Sequence, residues 1–420
     1  MTKENIPKIY SDFVSKYKVD FFASNKLDVV QKGGNGIYLN VEQSVQGKTY
    51  PMQLIDCRTA GGVYNLGHNN PEILKTLREG LDKGLDIGDH HLISEQRALL
   101  ARDMATILPG EISKTQFCVS GGEAVDLAIK VARGFTKRKK IISAIKGYHG
   151  VTGFALGATA ASFREPFLWD QPDFVQVPFG DIDAFKQVAD ESVACVIFET
   201  IPATGGILIA QKEYFSTIRE ICNQKGIIMI ADEVQTGLGR TGELWGIYGG
   251  LYADAKVEPD IIVLGKGMSS GLYPLATVSY KPELEEVFAQ DPFLHISTTG
   301  GSELGCFVAR KMFEMITKPE FLTNVKIKGE EFEAGLKQLF SGPYVKEVRG
   351  RGLMWGIEFP AEKLSMAFTV LMIKNGIFAD FCGNFRETIK LMPPLIINDQ
   401  DVNEIMKRLQ NAVAQLLKMM

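Results

Sequence analysis

The stretch Ile227–Gly242, IIMIADEVQTGLGRTG, opens as a run of apolar residues, ends that run on the acids Asp232 and Glu233, and closes on Gly237, Gly239 and Gly242 in the spacing G-x-G-x-x-G. In a dinucleotide fingerprint the glycines form the first turn directly after a strand and open a helix whose N-terminus receives the pyrophosphate. Here Glu233 to Thr236 separate strand from glycines, and the following ELWGIYGGLY has no clean helical period. A nicotinamide-dependent dehydrogenase also needs an acid about 20 positions further on, at the end of the next strand. Asp260 lies near that distance but precedes the apolar run IIVLG. What stands out is the acid pair at the end of a strand expected to be buried.

Outward from this stretch the same texture repeats. TQFCVS, KKIISAI, VACVIFET and PDIIVLGKG are short apolar runs separated by amphipathic segments, with helices expected over 122–133 and 212–225. Near-continuous Val/Ile/Leu strands alternating with helices predict an α/β fold with a mostly parallel sheet covered on both faces. In such sheets ligands collect beyond the carboxyl ends of the strands. After about residue 310 the texture shifts to a helical stretch, a strand pair in YVKEVRGRGLMWGIEF and a closing helix from Asp401. The expected division is a large domain over 51–310 and a smaller α+β domain built from 1–50 and 311–420. A chain of 420 residues is longer than one core usually supports, and it shows no repeat or low-complexity linker.

Bulk chemistry narrows the partners. A net charge of -4 without a basic block argues against nucleic acid or an anionic membrane surface. The six scattered cysteines form no C-x-x-C and read as reduced thiols, and no run of about 18 apolar residues suggests a membrane span. The cytoplasm is the expected compartment. No second His or Cys stands at metal spacing from His149, so no metal site is expected.

Three further places carry chemistry. In CVSGGEAVDLAIKVAR a strand ends at Ser120, and two glycines, Gly121 and Gly122, open a helix whose free N–H groups suit an anion. Lys266 in IIVLGKGMSSG stands at the mouth of a strand between glycines, where burial and nearby dipoles tune an amine toward Schiff-base chemistry. Tyr148 in GYHG supplies a flat aromatic. A phosphate cradle, an aromatic face, a strand-end carboxylate and a strand-end amine are the set that pyridoxal phosphate requires.

SGGEAVDLAIKVAR, GYHG, IIMIADEVQTGLGRTG, LGKGMSSGLYP, HISTTGG and VRGRGLMWGIEF stand in the order of the motifs of class III (ω-type) pyridoxal-phosphate aminotransferases of fold type I. The chain resembles that family from about Asp20 to its C-terminus. The resemblance implies that Lys266 forms the Schiff base and later acts as general base, and that Asp232 pairs with the pyridinium nitrogen. Tyr148 would stack on the ring, Val234 would pack its other face and Gln235 would reach the phenolic oxygen. Gly121 and Gly122 would hold the phosphate with Thr298 of a partner subunit, in a homodimer with sites at the interface, and His149 and Glu199 join the cofactor set. The implied reaction is a ping-pong transfer of an amino group from an amine or amino-acid donor to a keto acid. The same scaffold supports racemisation, epimerisation or an internal amino shift, and Lys266 and Asp232 do not separate these outcomes. A non-catalytic cofactor-binding module is disfavoured by the intact pair.

The chain departs from the family where glutamate-using members carry an Arg before the C-terminal PPL and a Glu that gates it. Those positions hold Lys390 and Thr204, and Gly122 stands where Ser or Thr is common. A lysine attracts a carboxylate as a point charge without a bidentate fork. A standard ornithine, acetylornithine or 4-aminobutyrate aminotransferase is therefore not expected, and at least one substrate is expected to be less conventional, such as an amino sugar, diamine or biosynthetic intermediate. Tyr64, beside Asn65 in GGVYNLGHNNP, falls in the stretch that lines the substrate entrance in the family.

Overall fold

Seven apolar runs form the central sheet because each finds cover on both faces. The computed structural model describes residues 5–25, 29–45, 48–249, 252 and 257–420. Across the sheet the strands are Lys114–Cys118, Ala276–Tyr280, Ile261–Leu264, Ile228–Asp232, Val193–Glu199, Lys140–Ala144 and Phe174–Val177. Only Ala276–Tyr280 runs antiparallel to its neighbours; the remaining pairings are parallel. Alternation sorts the side chains into two layers. Ile228 and Ile230 face the helix Gly121–Thr136, whereas Met229 and Ala231 join the layer of Tyr214–Lys225 and Glu303–Ile316. In the three central strands, Ile261–Leu264, Ile228–Asp232 and Val193–Glu199, both faces are dry and no charged residue or hydroxyl appears before the strand ends, whereas the outer strands carry Gln116, Ser143, Gln176, Thr277 and Ser279.

A second core gathers the helices Pro319–Leu339, Glu362–Lys374 and Asp399–Leu417 on a sheet of Glu347–Arg351, Met354–Glu358, Phe385–Leu391 and Asp380–Cys382. The N-terminal strands Val29–Asn35, Tyr38–Val45 and Lys48–Asp56 form a meander whose last strand pairs in parallel with Ile377–Phe378. Ile37, Ile55 and Cys57 are buried in this second core. The fully buried Arg240, in the loop after Asp232, donates to the carbonyls of Leu353 and Pro393 and ties that loop to the second core.

The glycines of the opening stretch lie in turns and bends. Residues 243–249 form bends and a turn where a dinucleotide site requires the start of a helix.

Candidate active site

Parallel order brings the ends of three neighbouring strands together. Glu199 and Asp232 are the last residues of adjacent strands and directly paired in register, and Ile261–Leu264 delivers Gly265 and Lys266 on the other side of Asp232. Lys266 adopts φ 44°, a left-handed conformation strained for a residue with a Cβ and characteristic of functional positions. These residues line one cavity of about 260 Å³ together with Ser120, Gly121, Gly122, Tyr148, His149, Gly150, Val151, Thr152, Val234 and Gln235.

One wall is an anion cradle. Ser120 caps the helix Gly121–Thr136 by accepting from the Glu123 N–H at 3.3 Å, which leaves the first N–H groups of the helix facing the cavity. Glycine is required here by contact: a Cβ on Gly150 would stand 2.7 Å from the Gly122 Cα, and one on Gly122 would stand 2.9 Å from Thr152 Oγ1.

The opposite wall is ionic. Asp232 Oδ2 lies 2.7 Å from His149 Nδ1, with both side chains buried, and Asp232 Oδ1 accepts from the Val234 N–H at 3.1 Å. Burial opposes a charge on His149, but the bond to Asp232 and the fields of Asp232 and Glu199 outweigh it and raise its proton affinity. Burial pushes Glu199 up to about 7. Its two oxygens accept from the Tyr148 N–H at 2.9 Å and the Ala203 N–H at 3.0 Å, so it brackets two pocket loops. Desolvation pulls the Lys266 ammonium down to about 8; Asp232 and Glu199 favour its proton, and Lys390 and Arg58 oppose it.

Of the residues expected from sequence to hold a cofactor, all except Thr298 line this cavity. Thr298 is exposed, on a segment flanked by the outward-facing apolar residues Phe293, Leu294 and Ile296. Tyr64 stacks on His68, with ring centroids 4.0 Å apart, outside the residues that line the cavity. Thr204 accepts from the Asn384 N–H through its carbonyl at 3.0 Å, and Asn384 Nδ2 donates to the carbonyl of Lys146 at 2.8 Å. Lys390 is half-buried on the strand Phe385–Leu391. Three contributors were not anticipated. Thr152 adds a hydroxyl to the cradle, Gly61 admits Lys266, whose Cε would lie 3.3 Å from a Cβ there, and Arg58 bears on the Lys266 amine. The paired glycines Gly61-Gly62 were the only sequence signal for this corner.

The cavity fits pyridoxal phosphate. Two buried polar atoms on cavity-lining residues, His149 Nε2 and Gln235 Oε1, have no hydrogen-bond partner, and the glycine cradle leaves space that side chains would fill. Buried polar atoms are rarely left unpaired unless a ligand or water serves them.

Comparison with known proteins agrees. The family model described as Aminotransferase class-III matches residues 23–413. An uncharacterized aminotransferase of Archaeoglobus fulgidus is 45% identical over 412 residues, spanning 98% of this chain and 94% of that protein. Among solved structures, a transaminase from the marine bacterium Virgibacillus superposes with a TM-score of 0.88 at 26% identity, covering 99% of this chain and 100% of that one. The ornithine aminotransferase of Toxoplasma gondii, with partial occupancy of PLP at its active site, superposes with a TM-score of 0.84 at 25% identity over 99% of each chain.

Proposed function

The chain belongs to the class-III aminotransferases, and from that premise we infer how its own residues carry out pyridoxal-phosphate-dependent transfer of an amino group from a donor to a keto acid. The observation that carries the reading is Lys266, strained and with its proton affinity lowered by burial, at a strand end beside the buried Asp232. When bound, pyridoxal phosphate supplies an aldehyde that exchanges amines and a ring that withdraws electrons from the carbon losing its proton.

Asp232, fixed by its bond to His149, would pair with the ring nitrogen. The N–H groups of Gly121 and Gly122 and the Thr152 hydroxyl would hold the phosphate, Tyr148 and Val234 would pack against the ring, and Gln235 would reach its phenolic oxygen. The Lys266 amine, once displaced by the donor, takes the proton from the substrate carbon at Nζ and returns it one position along; a pKa of about 8 leaves a useful neutral fraction at physiological pH. Keto acid then runs the same proton transfers in reverse.

We further propose a homodimer in which Thr298 of the partner subunit completes each cradle. Its support is an exposed apolar surface over Leu92, Ile93, Phe293 and Leu294, larger side chains than a lone surface usually leaves in water. Six free, buried cysteines suit a reducing compartment such as the cytoplasm. Among the described residues no helix is long and apolar enough to cross a membrane. At least one substrate remains expected to be less conventional, on the strength of Lys390 and Thr204.

The test is an absorption titration of the purified protein. A yellow band bleached by an amino donor, restored by a keto acid and missing in Lys266→Ala is expected. A protein that binds no pyridoxal phosphate, or keeps the band in Lys266→Ala, overturns the reading.

A further inference from the structure

Lys390 replaces a fork-shaped group with a point charge, and the structure brings a fork from elsewhere. Arg58, like Lys390 outside the residues that line the cavity, lies on a rigidly held segment three residues before Gly61, which packs against Lys266 and Gln235. Asp56 Oδ1 accepts from the N–H groups of Arg58 at 2.9 Å and Thr59 at 2.7 Å, and its other oxygen is 2.8 Å from His68 Nε2. The same segment is sewn to the strand that carries Lys390. The Met392 N–H donates to the Cys57 carbonyl at 2.6 Å, and Thr59 Oγ1 donates to the Met392 carbonyl at 2.9 Å. Arg58 is thus flanked on both sides by residues bonded to a position two beyond Lys390.

Arg58 Nε is 3.1 Å from Asp380 Oδ2, with the two side chains 39% and 36% exposed, which leaves the pair reachable by a ligand. Asp380 is the direct cross-strand partner of Lys390, and directly opposed residues stand on one face of a sheet. Among the described residues Lys390 has no anion within ion-pair distance, so its charge is free to meet a ligand. Its reach extends to the chemistry, since both cations oppose the proton on Lys266. Gly61 and Gly62 let the segment pack close to the pocket: a Cβ on Gly61 would stand 3.1 Å from Gln235 Oε1, and one on Gly62 would stand 3.6 Å from Met392 Cε.

We propose that Arg58 and Lys390 together hold one carboxylate of the substrate, Arg58 supplying the planar fork that lysine lacks and Asp380 acting as the positioning residue that aims it. The half-exposed Arg58–Asp380 pair is held weakly enough for a substrate carboxylate to share or replace the aspartate. The fork restores the directional grip that Lys390 alone does not provide. The substrate class is therefore an amine or carbonyl compound bearing a carboxylate near the reacting carbon, and substrates lacking that group lose the contribution of both cations.

This rests on the transaminase reading above, and the experiment separates the two. Holoenzyme, Arg58→Gln, Arg58→Lys and Lys390→Gln are titrated calorimetrically with propionate, a non-reactive carboxylate, and with propionamide, its neutral isostere. Propionate is expected to bind wild-type protein better than propionamide. Its affinity is expected to fall about tenfold or more in Arg58→Gln, less in Arg58→Lys, and again in Lys390→Gln, with propionamide unchanged throughout. Undiminished propionate binding in Arg58→Gln, or no preference for propionate in wild type, overturns the proposal. The yellow band is recorded in every sample. Its absence from wild type speaks against the transaminase reading, and its presence in Arg58→Gln shows that any lost binding is not lost folding.

Discussion

Replacing Lys266 with methionine keeps an unbranched side chain of similar length and removes the amine, and it is expected to stabilise the cofactor-free protein at neutral pH. An ordinary lysine titrates at 10.5, and burial at the strand end brings Lys266 to about 8. At 1.36 kcal/mol per pH unit, that gap corresponds to about 3 kcal/mol of disfavour for the charged form in the fold. Lys266 faces a water-accessible cavity and is only partly buried, so screening reduces the effect to about 1–3 kcal/mol. The sign follows from proton counting. Below pH 8 the amine is charged in both folded and unfolded chains, and the full cost is present. Between pH 8 and 10.5 the fold sheds the proton while the unfolded chain keeps it, so wild-type stability rises relative to Lys266→Met. Above 10.5 the two proteins converge. Urea unfolding of both apoproteins at pH 7.5, 9 and 10.5, followed by the fluorescence of the buried Trp245 and Trp355, reads the difference directly. A variant no more stable than wild type at pH 7.5, or an advantage that persists unchanged at pH 10.5, would falsify the electrostatic account of this lysine.

Other perturbations test the remaining walls. Gly150→Ala puts a Cβ 2.7 Å from the Gly122 Cα at a backbone φ of +126°; pyridoxal phosphate affinity is expected to drop about tenfold or more, while affinity for phosphate-free pyridoxal changes less. Asp232→Asn removes the charge that the bond to His149 holds in place. Single-turnover bleaching by a donor is expected to slow about a hundredfold to a thousandfold, with the cofactor still bound; an unchanged rate counts against its role. Mixed and refolded Lys266→Ala and Thr298→Ala proteins are expected to recover activity that neither has separately, because one site of each mixed dimer is whole. No recovery speaks against a shared cradle.

The central sheet was legible because a parallel strand buried on both faces admits little except Val, Ile, Leu and their like. IIMIADE and VACVIFET announce both their conformation and, through their terminal acids, the end where chemistry gathers. The helix expected over 122–133 extends over Gly121–Thr136, since its serine cap and glycine start are local signals. The N-terminal helices Ile6–Phe13 and Lys16–Ser24 bury no residue within this chain, and the apolar stripe of the first, Ile6, Ile9 and Phe13, is too short to be read as a helix on its own. The meander over Val29–Asp56 is mixed in polarity and ends on Ile377–Phe378, more than three hundred residues away. The Arg58–Asp380 pair was invisible for the same reason: it joins positions separated by 322 residues, and no local pattern encodes a contact made only after two domains have packed. The roles drawn from the glycine-rich motif needed its surroundings, because G-x-G-x-x-G describes a turn as readily as a nucleotide site.

The hairpin tip at Asn384 bears on how this enzyme can be redesigned. Its side chain holds the carbonyl of Lys146, two residues before Tyr148, and its backbone holds Thr204. Widening the pocket on that side for bulkier amines would loosen the loop that presents the aromatic ring, coupling every gain in scope to a loss of cofactor. The Gly61–Gly62 corner is no freer: a Cβ on Gly61 would press on Gln235 Oε1 at 3.1 Å and on Lys266 Cε at 3.3 Å, so any widening of substrate scope has to begin away from both places.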